Sequence, residues 1–134
     1  MPETPATQHI EQLFFVYGTL RKGDDNDITK LQPAPRFVGH ACIAGTMYHL
    51  GGYPGVRLGG QGKIVGEVYA VQAALEKKLD AIESEYPAQA DEYFKRAIRV
   101  LVAQQCLDCF VYEINPNYIH SKPVIASGDW VKDR

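Results

Sequence analysis

No run of lysine or arginine in the 134 residues is longer than two, and the chain carries a net charge of −2. A nucleic-acid binder needs a basic face to displace the counterions of a phosphate backbone, so this charge balance argues against that partner. Long apolar runs are also missing. None approaches the ~20 residues of a membrane-spanning helix, and no membrane partner is expected. The opening residues Met1 to Gln8 lack the basic and apolar blocks of a secretion signal. Cysteines number three, an odd count, and a chain of this length does not demand disulfide staples. Together these features predict a reducing, cytoplasmic setting. With 46% apolar and 22% charged residues, the composition is that of an ordinary globular chain rather than a disordered one.

Several familiar sites fail on spacing. The glycine clusters do not form G-x-G-x-x-G between a strand and a helix. Gly62-Lys63 is followed by Ile64, which offers no hydroxyl to a magnesium ion. Nucleotide binding by these loops is therefore not expected. Cys106 and Cys109 have C-x-x-C spacing, but a zinc ribbon needs a second such pair. On a strand, residues three apart face opposite ways, which leaves two small apolar residues in a sheet. His9, His40, His49 and His120 show no ligand spacing, and there is no G-x-S-x-G elbow for a serine nucleophile. No metal and no cofactor are expected.

What is present reads as α+β. Leu13 to Tyr17 is an apolar run of aromatic and β-branched residues that stops at Gly18, a buried strand ending in a loop. Val38 to Leu50 holds β-formers broken by Gly39 and Gly45, as in a long bent strand. Residues 51–55 and 59–62 are glycine-rich and predict loops. Lys63 to Val71 is a further strand. From Ala73 to Tyr86 the period changes: Leu75, Leu79, Ile82 and Tyr86 form one helical stripe, and Pro87 ends it. Lys95 to Ala103 and Leu107 to Ile114 read as two strands joined by a turn near Gln104 and Gln105. A single domain over residues 12–134, preceded by a loose tail at 1–11, accounts for the pattern.

Six blocks carry a resemblance. The strand-end loop Tyr17-Gly18-Thr19-Leu20 resembles the Y-G-T-L or Y-G-S-L signature of the gamma-glutamylcyclotransferase superfamily. Tyr48 to Gly55, Gly66-Glu67-Val68-Tyr69 and Leu75 to Glu83 resemble its later blocks in order and spacing. Glu92-Tyr93 and Ser127-Gly128-Asp129-Trp130 resemble blocks of the short bacterial, gamma-glutamylamine-cyclotransferase-like members. The resemblance implies a small mixed β-barrel with one main helix, and room for a second short one, packed outside. It also implies an intramolecular attack: the α-amine of a γ-glutamyl group displaces an amine at its own γ-carbonyl, yielding 5-oxoproline. The partner it implies is a small γ-glutamyl compound; the leaving amine and the oligomeric state stay open.

That reaction needs a proton acceptor and donors for negative charge. Successive N–H groups of Gly18, Thr19 and Leu20 can form an anion nest, although a plain turn would look the same in sequence. The family spacing places the acid/base on Glu83. An ordinary glutamate, with a pKa of ~4.3, is a poor base for an amine near ~8, and an apolar cavity would raise it. By periodicity alone Glu83 and Glu85 border the helical stripe equally. Glu67, in mid-strand among apolar residues, is an alternative acid or an orienting one. Tyr17, Tyr53, Tyr69, Tyr93 and Tyr112 are candidates for the cavity lining, each combining apolar area with one polar tip. Lys95 stands where the family pattern has arginine, and lysine cannot reproduce a bidentate contact. A non-catalytic carboxylate-binding protein on the same scaffold is the competing expectation.

Overall fold

The computed structural model describes residues 11–85 and 91–134, the side chains of residues 83–85 excepted. Its elements are β1 (Glu11–Val16), β2 (Arg36–His49), β3 (Pro54–Gln72), α1 (Ala73–Glu85), β4 (Tyr93–Val102), β5 (Gln105–Ile114) and α2 (Trp130–Asp133). Two 3-10 turns, Ile28–Lys30 and Pro116–Tyr118, lie in the connections. The class is α+β.

β1 is central because its sequence permits nothing else. Successive side chains on a strand alternate faces, so an unbroken apolar run must be buried on both. Phe14 and Val16 enter one core cluster with Leu20, Ile28, Tyr69, Leu75, Leu79 and Tyr112. Phe15 and Tyr17 enter a second with Met47, Val56, Val68, Val111 and Trp130. α1 covers the first cluster with its predicted stripe: Leu75 and Leu79 are fully buried, each contributing about 2 kcal/mol. The predicted end of this helix, at Tyr86 and Pro87, lies outside the described residues.

The five strands form one mixed sheet in the order β2-β3-β1-β5-β4. β1 pairs antiparallel with β3, Phe14 opposite Tyr69 and Val16 opposite Glu67, and parallel with β5. The expected barrel is corrected here: the sheet is open. It coils until β2 and β4 touch through side chains, so closely that a Cβ on Gly39 would lie 2.6 Å from Val102 Cγ1. Among the described residues no backbone ladder joins those two edges, and a barrel requires one.

A second correction concerns residues 59–62, expected as a loop. They lie within β3, whose register against β2 jumps from Ala44–Lys63 to Gly45–Leu58. Gly59 and Gly60 take φ of +91° and +84°, so the strand makes an exposed excursion there and then resumes. The β4–β5 connection is tighter than expected. Ala103 and Gln104, at φ of +48° and +71°, form the two-residue turn whose twist suits a hairpin.

Candidate functional site

The site begins where β1 ends. Beyond Val16 the chain leaves the sheet, and the two core clusters meet around the segment Tyr17 to Leu20. A cleft opens at this seam. Gly18, Thr19 and Leu20 line one side of it. Tyr53, from the turn between β2 and β3, and Pro54, the first residue of β3, line another with Tyr93. Ile82 of α1 and Tyr112 of β5 complete the wall, with Phe15, Val16 and Tyr17 beneath. None of these lining residues bears a formal charge.

Glycine at position 18 is required by close approach rather than by backbone angle. A Cβ there would lie 2.8 Å from Pro54 Cγ and 2.9 Å from Cδ. The loop then turns: Arg21 N donates to Gly18 O at 3.0 Å, Asn26 N to Thr19 O at 2.9 Å and Ile28 N to Leu20 O at 2.9 Å. These bonds use the carbonyls of Gly18, Thr19 and Leu20. Among the described residues no acceptor meets their N–H groups. Three adjacent, unpaired N–H groups on a cavity wall are donors held ready for an anion.

The tyrosines are anchored by their hydroxyls. Tyr17 donates to the Tyr112 carbonyl at 2.6 Å, and Tyr93 donates to the Pro54 carbonyl at 2.6 Å. Tyr53 donates to Glu92, which is itself buried. Tyr112 donates to Asp80 Oδ1 on α1 at 2.6 Å. Lys95 bridges Asp80 and Glu76 on the same helix and lies over the rings of Phe14 and Phe110. The lysine that departs from the family pattern therefore braces α1 from outside the cleft and is not among its lining residues.

Glu83 follows Ile82 on α1, but its side chain lies outside the described residues, as does that of Glu85. Glu67 is described in full. It is 5% exposed and absent from the cleft lining. Its Oε2 accepts from Arg21 Nε at 2.9 Å, and its Oε1 from Lys22 N at 3.1 Å and Tyr69 OH at 2.9 Å. Tyr69, expected to line the cavity, is instead buried beside Glu67 and absent from the cleft lining; burial, and then the bond to Glu67, push its phenol well above its ordinary pKa.

Arg21, Pro54, Ile82 and Asp129 belong to the site or its support and escaped sequence reasoning. For Arg21 a signal existed: a cation directly after the loop, and an acid in mid-strand, are natural partners once both are buried. Asp129 stands in the Ser127–Trp130 block, but nothing local marks it as the partner of Arg21, from whose Nη1 its Oδ1 accepts at 2.8 Å across 108 positions of sequence. Among the described residues, no group of three or more His, Cys, Asp or Glu is placed to hold a metal ion. No helix among them is long and apolar enough to cross a membrane.

Comparison with known proteins adds a family. The family model described as gamma-glutamyl cyclotransferase, AIG2-like, matches residues 14–132. The chain is 37% identical over 122 residues to the gamma-L-glutamyl-butirosin B gamma-glutamyl cyclotransferase of Niallia circulans, covering 90% of this chain and 70% of that one. It is 30% identical over 125 residues to the gamma-glutamylcyclotransferase family protein YtfP of Escherichia coli K12, covering 87% and 94%. A crystal structure of an AIG2-like protein from Mus musculus superposes with a TM-score of 0.73 at 27% identity, covering 90% of each chain.

Proposed function

The chain belongs to the gamma-glutamyl cyclotransferase, AIG2-like family, and on that premise we propose that it cyclises a small γ-glutamyl compound to 5-oxoproline, releasing an amine or amino acid. One observation carries this: one cleft is lined both by Gly18 to Leu20, whose N–H groups meet no acceptor among the described residues, and by Ile82, the neighbour of Glu83.

The loop amides hold negative charge, first the substrate carboxylate and then the oxyanion that develops. Glu83 takes a proton from the α-ammonium. The freed amine attacks the γ-carbonyl carbon, forming the ring C–N bond and a tetrahedral oxyanion. Collapse breaks the original γ-carbon to nitrogen bond as Glu83 returns that proton to the departing nitrogen; the ring nitrogen then gives up its second proton through the same carboxylate, and the amine leaves as its ammonium. Atoms and electrons balance without an oxidant, a reductant or a metal. The apolar wall favours the proton-bearing form of a neighbouring carboxyl, which brings a glutamate toward the range useful at neutral pH. Tyr17, Tyr53, Tyr93 and Tyr112 shape the cleft around the folded substrate, where holding the amine near the carbonyl itself speeds reaction. Glu67, its oxygens occupied by three donors, serves as an orienting acid. The unit that does this spans residues 12–134, and its three unpaired cysteines suit a reducing compartment.

The test is incubation with a panel of γ-glutamyl compounds, γ-glutamylamines among them, with detection of 5-oxoproline. Glu83→Gln should lower turnover by ~10²–10⁴ while leaving 5-oxoproline binding nearly unchanged. Near wild-type turnover in Glu83→Gln would remove that residue from the mechanism. Binding of 5-oxoproline with no turnover of any compound would favour a carboxylate-binding protein on the same fold.

A further inference from the structure

Behind the loop that carries the Gly18–Leu20 amides, a buried ionic cluster joins residues far apart in sequence. Arg21 is 8% exposed and divides its guanidinium between Glu67 Oε2, at 2.9 Å, and Asp129 Oδ1, at 2.8 Å. Lys22 N donates to Glu67 Oε1 at 3.1 Å. Three residues on, Asp24 accepts from Trp130 Nε1 at 2.7 Å and from Arg134. Residues 21–24 are thus fastened on one side to β3 and on the other to the segment 129–134.

We propose that Asp129 is a positioning residue for the anion-binding loop, acting through Arg21 to hold the N–H groups of Gly18, Thr19 and Leu20 in the arrangement that receives a carboxylate. This rests on the function proposed above for the site it serves.

The physical case has two parts. The N–H groups of Gly18, Thr19 and Leu20 meet no acceptor among the described residues, so they contribute no bond that would hold their own loop in place. The bonds that do hold it come from Arg21 N, Asn26 N and Ile28 N, so whatever fixes the segment after the loop fixes the loop. The cluster fixes that segment, since charge-assisted bonds in a buried site are the stronger ones. The second part is charge. One guanidinium between two carboxylates leaves the cluster net negative, so it does not attract an anion by its own field. Its contribution to carboxylate binding is geometric.

Sign therefore separates the roles. Asp129 also caps α2, accepting from Lys132 N at 3.1 Å. Serine caps a helix about as well as aspartate but is one atom shorter and uncharged, so Asp129→Ser keeps the cap and releases Arg21. Removing a negative charge near the site would tighten anion binding if Asp129 acted only through its field. Release of the loop loosens it. Arg21→Ala is the less useful variant, because it leaves Glu67 buried beside a cavity without its cation and endangers folding.

Two measurements on the full chain decide the matter. In amide hydrogen exchange, Asp129→Ser should accelerate the amides of Arg21, Asn26 and Ile28, which donate to the loop carbonyls, by about 10-fold, with the β1–β3 ladder unchanged. In calorimetric titration, the Kd for 5-oxoproline should rise by about 10-fold, matched by KM, and kcat should fall as well, because the same amides hold the developing oxyanion. Unchanged exchange in the loop, equal acceleration throughout the sheet, or tighter 5-oxoproline binding would each overturn the proposal. Wild-type protein that neither binds nor forms 5-oxoproline would overturn the proposed function and the carboxylate part of this inference. The exchange result stands apart from it and reports whether Asp129 controls the loop.

Discussion

Replacing Gly18 with alanine tests the site through one atom. The added Cβ would lie 2.8 Å from Pro54 Cγ and 2.9 Å from Cδ. Apolar carbons rest at about 3.5–4.0 Å, so each contact is overlapped by about 0.6 Å or more. Pro54 cannot yield as a flexible side chain would. Its ring is rigid, its residue is buried in the ladder opposite His49, and its carbonyl accepts from Tyr93 OH at 2.6 Å. The loop must move instead, at a cost of about 1–3 kcal/mol typical of overpacking. That displacement takes the Gly18–Leu20 N–H groups out of register with a bound carboxylate, and 5-oxoproline affinity should fall by about 10-fold or more. Gly52→Ala is the control. Nothing lies within 4 Å of a Cβ there and its φ is not in the left-handed region, so stability should stay within about 0.5–1 kcal/mol of wild type. Urea denaturation and calorimetric titration of both variants give the comparison. If Gly18→Ala matches Gly52→Ala in both midpoint and affinity, the loop and Pro54 do not form opposite walls of one binding cleft.

Glu67→Ala leaves the Arg21 guanidinium, Lys22 N and Tyr69 OH without their shared acceptor, and should lower unfolding free energy by about 3–5 kcal/mol in urea denaturation. A loss below about 1 kcal/mol would mean that the cluster is not structural. Asp27 supplies the pH dependence. Burial alone would raise its pKa, but bonds from the Thr29 hydroxyl, Gly23 N and Thr29 N outweigh that and hold the carboxyl below its ordinary value. A group depressed in the folded state contributes its full stability above the unfolded pKa of ~3.9 and loses it as pH falls through the folded value. Wild-type stability should therefore fall more steeply than that of Asp27→Asn as pH is lowered from about 5 toward 2, followed by calorimetry at each pH; parallel curves would refute the assignment.

How much of this was legible before any coordinates depended on the range of each interaction. β1 was readable because burial on both faces demands an unbroken apolar run, and Leu13 to Tyr17 is one. α1 was readable because Leu75, Leu79 and Ile82 repeat at the helical period. Residues 59–62 were misread for a physical reason. Glycine signals freedom of φ, and that freedom serves an excursion within a strand as well as a loop between strands. The loop Tyr17 to Leu20 was recognisable as a block of residues. That its N–H groups lack acceptors depends on which carbonyls the returning chain at Arg21, Asn26 and Ile28 occupies.

Composition, charge and local periodicity determined by themselves the α+β class, the strand that ends in the candidate loop, and the helix that carries Glu83. These are properties of side chains within a few residues of one another, where the periods of strand and helix act directly. Only the tertiary structure decided that Tyr53, Ile82, Tyr93 and Tyr112 close on one cleft, that the sheet stops short of a barrel, and that Glu67 faces Arg21 rather than the cavity. Each of those outcomes turns on strand register and sheet coiling summed over the whole chain. A shift of one residue in the β1–β3 register would turn Glu67 to the other face of the sheet without changing a single letter of its neighbourhood.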